Sequence, residues 1–357
     1  MATIYDVAKK AGVSIGTVSR YVNGSGYVGG VSRDRIEAVI RELNFSPNGV
    51  ARSLTTKRTY LLGFIVSDLM NPFVPEVARG IQDLADEKGY CVLILNTDGD
   101  GRREVRALKL LRERQVDGLI ITPPETRPGN TYIRELHRLG VPIILLGRQV
   151  GDASIDRVST DTYAGSRAAM AHLLDLGHRR IAFIGGDASR HVAASRRQGY
   201  LDGLAEAGIM RDPALIIETT LDHDGGAVGM AALLQLPDPP TAVFTVNDLM
   251  ALGAVEEAGR RGVSVPADLS IVGFDDIALA AHARPTLTTV AQPKLNLGRT
   301  AAELLMSRLE HPGKLEPRNV RLPCEFVQRA SSAPPRRQQA VKGLRDTGPA
   351  TGSGERR

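Results

Sequence analysis

Cysteine is nearly missing from this chain. Cys91 and Cys324 are the two in 357 residues, and neither has a neighbour at metal-binding or redox spacing. A disulfide framework is excluded, and free thiols in a reducing compartment are the simplest reading. No apolar run approaches the roughly 20 residues of a membrane span, so no membrane partner is expected. The N-terminus lacks the basic region, apolar stretch and small-residue cleavage site of an export signal, and a cytoplasmic location is expected. There is no phosphate loop of the Walker type, no nucleophile elbow and no His/Cys metal cluster; the seven histidines are scattered. These gaps argue against an enzyme, and no cofactor or metal is expected.

Charge is present but unevenly spread. The net charge is +5, yet residues 1–60 carry nine Lys/Arg against four Asp/Glu and residues 331–357 carry six against two, which leaves 61–330 mildly acidic. A basic end on an acidic body suits a polyanion bound at one place. The tail, 331–357, is rich in Pro, Gly, Ser and charge and has too little apolar surface to bury, so it reads as disordered. It lacks the leucine heptads of a tetramerising coiled coil.

The first 45 residues read as three short helices. Thr3 and Asp6 have the spacing of a capping box, and Ile4, Val7, Ala8 and Ala11 then recur at helical spacing. Gly12 can end that helix in the left-handed conformation. Ser14 can cap a second helix over Ile15–Val22, and Ile36, Val39, Ile40 and Leu43 mark a third. Two helices about three residues apart, with glycine in the turn, form the helix-turn-helix pattern. The second would enter the major groove. Ser14, Thr17 and Ser19 can bond phosphate, which positions without reading sequence. Arg20 can reach a guanine edge with two hydrogen bonds, and Ile15 can touch a thymine methyl.

Ser46-Pro47-Asn48 then interrupts the chain, since a residue before proline is pushed out of the helical region. Asn48 can cap a short helix over Gly49–Thr55. That length is far below the ~12–15 residues needed for a helix stable alone, so the segment is expected to order only against a partner. From residue 61 onward, apolar runs of buried-strand type alternate with helical stretches. The runs are Leu61–Val66, Cys91–Asn96, Gly118–Thr122, Val141–Leu146, Ile181–Gly185, Ile216–Thr220, Ala242–Val246 and Ser270–Phe274. Alternation of this kind means parallel sheets with helices on both faces, and its repetition suggests two lobes.

TIYDVAKKAGVSIGTVSRYVNG, ELNFSPNGVARSL and the α/β region behind them resemble the lac-repressor (LacI/GalR) family of bacterial transcription regulators, over about residues 2–330. The resemblance implies an N-terminal all-α helix-turn-helix head plus an α/β periplasmic-binding-protein-like core of two Rossmann-like lobes. It divides the chain into a DNA-binding domain (1–46), a hinge helix and linker (47–60), a two-lobed effector-binding and dimerisation domain (61–330) and the basic tail (331–357). Lobe crossings are expected near Val158–Asp161, Leu287–Gln292 and Pro323–Phe326.

The implied partners are a double-stranded DNA operator, a second copy of the chain and a small-molecule effector in the interlobe cleft. DNA contacts are implied at Thr3, Tyr5, Ser14, Ile15, Gly16, Thr17, Ser19, Arg20, Asn23 and Arg33, and in the hinge at Asn48, Ala51, Arg52 and Leu54. Leu54 matches the family's leucine wedge, which kinks the duplex from the minor groove. Effector contacts are implied at Asn71, Phe73, Arg148, Asp161, Arg196, Asn247, Asp275 and Gln292. Charged and amide groups beside one aromatic face suit a sugar, although Asn247 and Asp275 also read as helix caps.

Several residues depart from the family pattern. Ile15–Gly16 occupy the main base-reading positions, and Gly29–Gly30 replace a serine and a polar residue before the third helix. Val74 stands where sugar-binding relatives often carry a second aromatic, and Gly147 where many have an acid before the arginine. LDHDGG replaces an apolar wall at 221–226. The expected function is a sequence-specific dimeric repressor under small-molecule control. The alternative is the same fold controlled by a nucleobase or a protein partner, or acting as an activator at some promoters.

Overall fold

A computed structural model of the protein describes residues 2–23, 26–45, 58–122, 127–186 and 191–336. The hinge expected at 47–55, with Asn48, Ala51, Arg52 and Leu54, lies outside the described residues, as does the tail from residue 337.

The head consists of α1 (Ile4–Ala11), α2 (Ile15–Asn23) and α3 (Gly30–Glu42). The capping box forms: the Thr3 backbone N–H donates to Asp6 Oδ2 at 2.8 Å and the Asp6 N–H to Thr3 Oγ1 at 3.4 Å. Gly12 ends α1 at φ +64, where a Cβ would be penalised. The Ser14 hydroxyl accepts from the Thr17 N–H at 3.1 Å and so starts α2. Val7, Ala8, Ala11, Val18, Ile36 and Val39 make a separate core from small and β-branched residues. Gly29 precedes α3 without a side-chain cap.

The α/β region forms two compact units. One takes the chain up to Met70, Val74–Ser159 and Lys294–Arg321; the other takes Asn71–Phe73, Thr160–Pro293 and the chain from Leu322. Strands of the first lobe are β1 (Leu61–Val66), β2 (Cys91–Asn96), β3 (Gly118–Ile121), β4 (Ile143–Leu146), β5 (Asp156–Thr160) and β11 (Asn319–Leu322), in sheet order β11-β5-β4-β3-β1-β2. Each pair from β2 through β5 is parallel. Helices α4 (Phe73–Glu87), α5 (Gly101–Glu113), α6 (Arg127–Arg138) and α12 (Lys294–Glu310) accompany this sheet. Helix α12 follows the second lobe in sequence yet packs in the first. A Cβ on Gly80 of α4 would lie 2.1 Å from the Leu295 carbonyl oxygen, and one on Gly298 of α12 would lie 2.1 Å from that of Val77. The two backbones meet where neither helix has a side chain.

The second lobe has a parallel sheet of order β7-β6-β8-β9, from β6 (Ile181–Gly185), β7 (Ile216–Glu218), β8 (Ala242–Thr245) and β9 (Ser270–Val272). Its helices are α7 (Thr162–Asp175), α8 (His191–Glu206), α9 (His223–Leu233), α10 (Asp248–Arg260) and the short α11 (Ala278–His282), with an antiparallel pair β10 (Thr289–Ala291) and β12 (Glu325–Val327). Phe183, Tyr200, Phe244 and Phe274 anchor its core. The buried strands β1, β3, β4, β6, β8 and β9 follow the apolar runs because both their faces are covered, which removes the polar alternation of a one-sided sheet. Among the described residues, no helix is long and apolar enough to cross a membrane.

Candidate DNA-reading face and effector site

Helix α2 presents one side to the head's core and another to solvent. Val18 is buried, whereas Ser14, Ile15, Gly16 and Arg20 are exposed and Thr17 and Ser19 half-buried. The Ser14 and Thr17 hydroxyls lie 2.9 Å apart. Arg20 lies back along its own helix, its Nε donating to the Gly16 carbonyl at 3.3 Å. A base edge would have to compete with that single long bond. Tyr5 projects from α1 and Arg33 from α3, both exposed; Thr3 is exposed too, its hydroxyl donating to Asp6 at 2.7 Å. The side chain of Asn23 lies outside the described residues. Sequence reasoning passed over Tyr27, which is 88% exposed, and Val31, at 67%. An aromatic that a three-helix core leaves in water was the available signal, in the run GSGYVGGV.

In the second lobe, Arg196, Asp275 and Gln292 come together. Arg196, from α8, donates through Nη2 to Asp275 Oδ1 at 3.1 Å and through Nη1 to the Val246 carbonyl. Its guanidinium carbon sits 3.8 Å from the centre of the Phe274 ring, a stacked cation–π arrangement. Gln292 donates to the same Asp275 oxygen at 2.7 Å and accepts from Thr160 Oγ1. The backbone serves the carboxylate: Asp275 stands at φ +110 and Asp276 at φ +52, a region that costs non-glycine residues on the order of 1–3 kcal/mol each. The Asp275 N–H, bonded to the Val290 carbonyl at 2.8 Å, helps hold this conformation. Burial pushes the nearby Cys324 thiol up to about 11, which keeps it protonated and unreactive at neutral pH.

The other candidates are placed differently. Asn247 caps α10 through the Met250 N–H at 2.8 Å and donates to the Leu221 carbonyl at 2.9 Å. Asp161 caps α7 through the Ala164 N–H at 3.0 Å. Asn71 accepts from the Phe73 N–H at 3.0 Å, and the half-buried Phe73 ring packs against the second lobe's core. Asp275 is not a cap; it pairs with Arg196. In the first lobe, the Arg148 side chain is wholly buried. It forms an ion pair with Glu104 of α5, donates to the Thr122 carbonyl at 3.2 Å and grips Asn130 Oδ1 through Nη2 at 2.6 Å. Sequence reasoning missed Glu104, one acid in the highly charged GRREVRALKLLRE helix.

A helix-turn-helix head on a two-lobed α/β body defines a DNA-binding protein with a ligand-sensing core. Residues 3–48 match the model of the lacI family of bacterial regulatory proteins, and residues 170–332 match a periplasmic binding protein-like domain. The chain is 36% identical over 315 residues to the ribose operon repressor of Haemophilus influenzae, covering 88% of this chain and 94% of that one. The crystal structure of the lac repressor dimer bound to operator and the anti-inducer ONPF is similar at TM-score 0.83 and 30% identity, covering 93% of this chain and 99% of that one. A lacI-family regulator from Enterococcus faecium with bound ribose is similar at TM-score 0.70 and 34% identity, covering 77% and 99%. The chain belongs to the lacI family of bacterial regulatory proteins: it is a DNA-binding transcriptional regulator.

Proposed function

We propose that this chain is a cytoplasmic, non-enzymatic repressor that binds a pseudo-palindromic operator as a homodimer and responds to a sugar held by Arg196, Asp275 and Gln292. The carrying observation is Arg196 Nε, which is buried without a hydrogen-bond partner. A buried unsatisfied donor costs about 1–3 kcal/mol. A vicinal diol removes that cost, since one hydroxyl accepts from Nε while its neighbour donates to the adjacent carboxylate. Asn247 and Asp161 fix the helix starts beside this cluster, and Phe73 offers an aromatic face. The Haemophilus repressor and the ribose-bound Enterococcus regulator favour a pentose. Two copies of the head match the two-fold symmetry of an operator, as in the lac repressor dimer. Effector binding shifts a two-state equilibrium that controls how well the segment around Asn48–Leu54 orders on DNA, with Leu54 as the wedge. Titration calorimetry of the full chain with ribose and other aldoses tests the site. A saturable sugar response that disappears in Arg196→Ala is expected. An undiminished response in that variant removes Arg196 from the site.

A further inference from the structure

We propose that a cavity of about 470 Å³ in the first lobe is a second small-molecule site, for a compact carboxylate with an apolar or aromatic body, and that its occupant stiffens the anchor of the linker. The cavity is far from featureless. Its walls include Leu119 and Leu136, both buried, and Val141, with Leu309 from the end of α12. Two guanidinium-bearing residues, Arg58 and Arg112, also line it, beside the polar Thr59, Gln115 and Asp117. The volume falls within the ~300–1,000 Å³ of ordinary ligand sites, which combine apolar walls with a few placed polar groups. Arg58 is held in position, donating through Nη2 to the Leu309 carbonyl at 2.8 Å. The Arg112 side chain is exposed on α5 and makes no hydrogen bond or ion pair among the described residues. A carboxylate matches the fork of such a guanidinium, and the leucine walls favour an apolar body over a sugar or a bare phosphate.

The same cavity touches the point where the linker joins the lobe. Thr59 and Asp117 also line it. Asp117 Oδ1 accepts from the Thr59 N–H and hydroxyl, both at 2.8 Å, and Oδ2 accepts from the Tyr60 N–H at 3.0 Å. Tyr60 stands at φ +57, an uncommon conformation for a tyrosine, and its ring lies 5.3 Å from that of Tyr90. Arg58, Thr59 and Tyr60 are thus three consecutive linker residues tied to the lobe, two of them in the cavity wall. An occupant packed on that wall opposes the opening that exposes the Thr59 and Tyr60 amides.

The test uses the full chain with 4-phenylbutanoate as probe and 4-phenylbutan-1-ol as the uncharged control. Calorimetry should show saturable binding of the acid, and hydrogen exchange should show the Thr59 and Tyr60 amides slowed by its addition. Arg112→Ala, a change at an exposed residue, should weaken binding by about fivefold or more. Leu139→Trp, at a cavity-lining position that is 57% exposed, should block it. Arg196→Ala should leave the probe response intact, which separates this site from the sugar site. Four results overturn the proposal: no protection of the two amides, equal protection by the alcohol, an unchanged response in Arg112→Ala, or a response lost in Arg196→Ala.

Discussion

Raising the pH should loosen the second lobe, and Asp248→Asn should remove most of that sensitivity. Asp248 opens α10 with no exposure to solvent. Its Oδ1 accepts from Thr289 Oγ1 at 2.6 Å and its Oδ2 from the Ile277 N–H at 2.8 Å. Those bonds favour the charged form, but burial outweighs them, and with the nearby Asp275 carboxylate it pushes the Asp248 pKa from 3.8 up to about 8. An unfolded chain titrates the same group near 3.9. Between these values the folded protein holds a proton that the unfolded chain has released. The stability contributed by this group is therefore whole below about pH 4, declines as pH rises, and is lost above about pH 8. One proton is worth about 1.4 kcal/mol per pH unit, so going from pH 6 to pH 8 costs on the order of 2–3 kcal/mol. For a lobe of this size that is roughly 5–10 °C in Tm. Differential scanning calorimetry between pH 5.5 and 8.5 measures it. Asparagine keeps one oxygen for one of the two donors and has no proton to lose. Equal slopes for the parent and Asp248→Asn would mean that Asp248 is ionised throughout, and the reasoning would fail.

How far the sequence reveals this molecule depends on whether a residue's partner is local. β1 and β6 have the bounds of their apolar runs, because a strand covered on both faces must be apolar throughout; β2 keeps its bounds too, although it is a partly exposed edge strand. The cap at Thr3 and the stop at Gly12 were equally legible, since each involves neighbours along the chain. β5, β11 and β12 were not, being short and charged. Asp156 of β5 can be buried because Arg308, 152 residues away, meets it with hydrogen bonds of 2.6 and 2.7 Å and the Arg318 N–H donates a third at 2.6 Å. Helix α12 carries a readable stripe in Leu297, Ala301, Leu304 and Leu305. Its docking with the first lobe is not readable, because the glycine contact with α4 leaves no apolar signature. In the proposed effector site, the types Arg196, Asp275 and Gln292 announced a polar, hydrogen-bonding chemistry. Nothing local showed that Arg148 would meet Glu104, whose helix has charge on every turn, or that Asn247 would cap while Asp275 would not. That distinction arises from the two left-handed residues after β9, a backbone feature that aspartate permits without requiring.

Three further outcomes are expected. Arg20→Ala should lower specific operator affinity by roughly 1–3 kcal/mol while nonspecific DNA binding persists; an unchanged footprint would remove Arg20 from base reading. Gly80→Ala places a methyl 2.1 Å from a backbone oxygen that cannot rotate away, so α4 and α12 must separate; urea unfolding should show a loss of at least about 1–3 kcal/mol, and a neutral result would show that the contact yields. The Glu104–Arg148 pair offers the sharpest comparison, because both side chains are essentially inaccessible, at 1% and 0% exposure. Glu104→Gln leaves the guanidinium buried without its counter-charge and should cost about 3–5 kcal/mol. Glu104→Gln with Arg148→Gln removes both charges, leaving neutral amides near Asn130 and Thr122. It should therefore be less destabilised than Glu104→Gln alone, even though it deletes more hydrogen bonds. The inequality follows from the penalty of isolating a charge, which exceeds the net worth of the pair. A double variant that unfolds at lower urea than the single one would show that Arg148 does its work through its grip on Asn130 and Thr122, with the buried charge of little account.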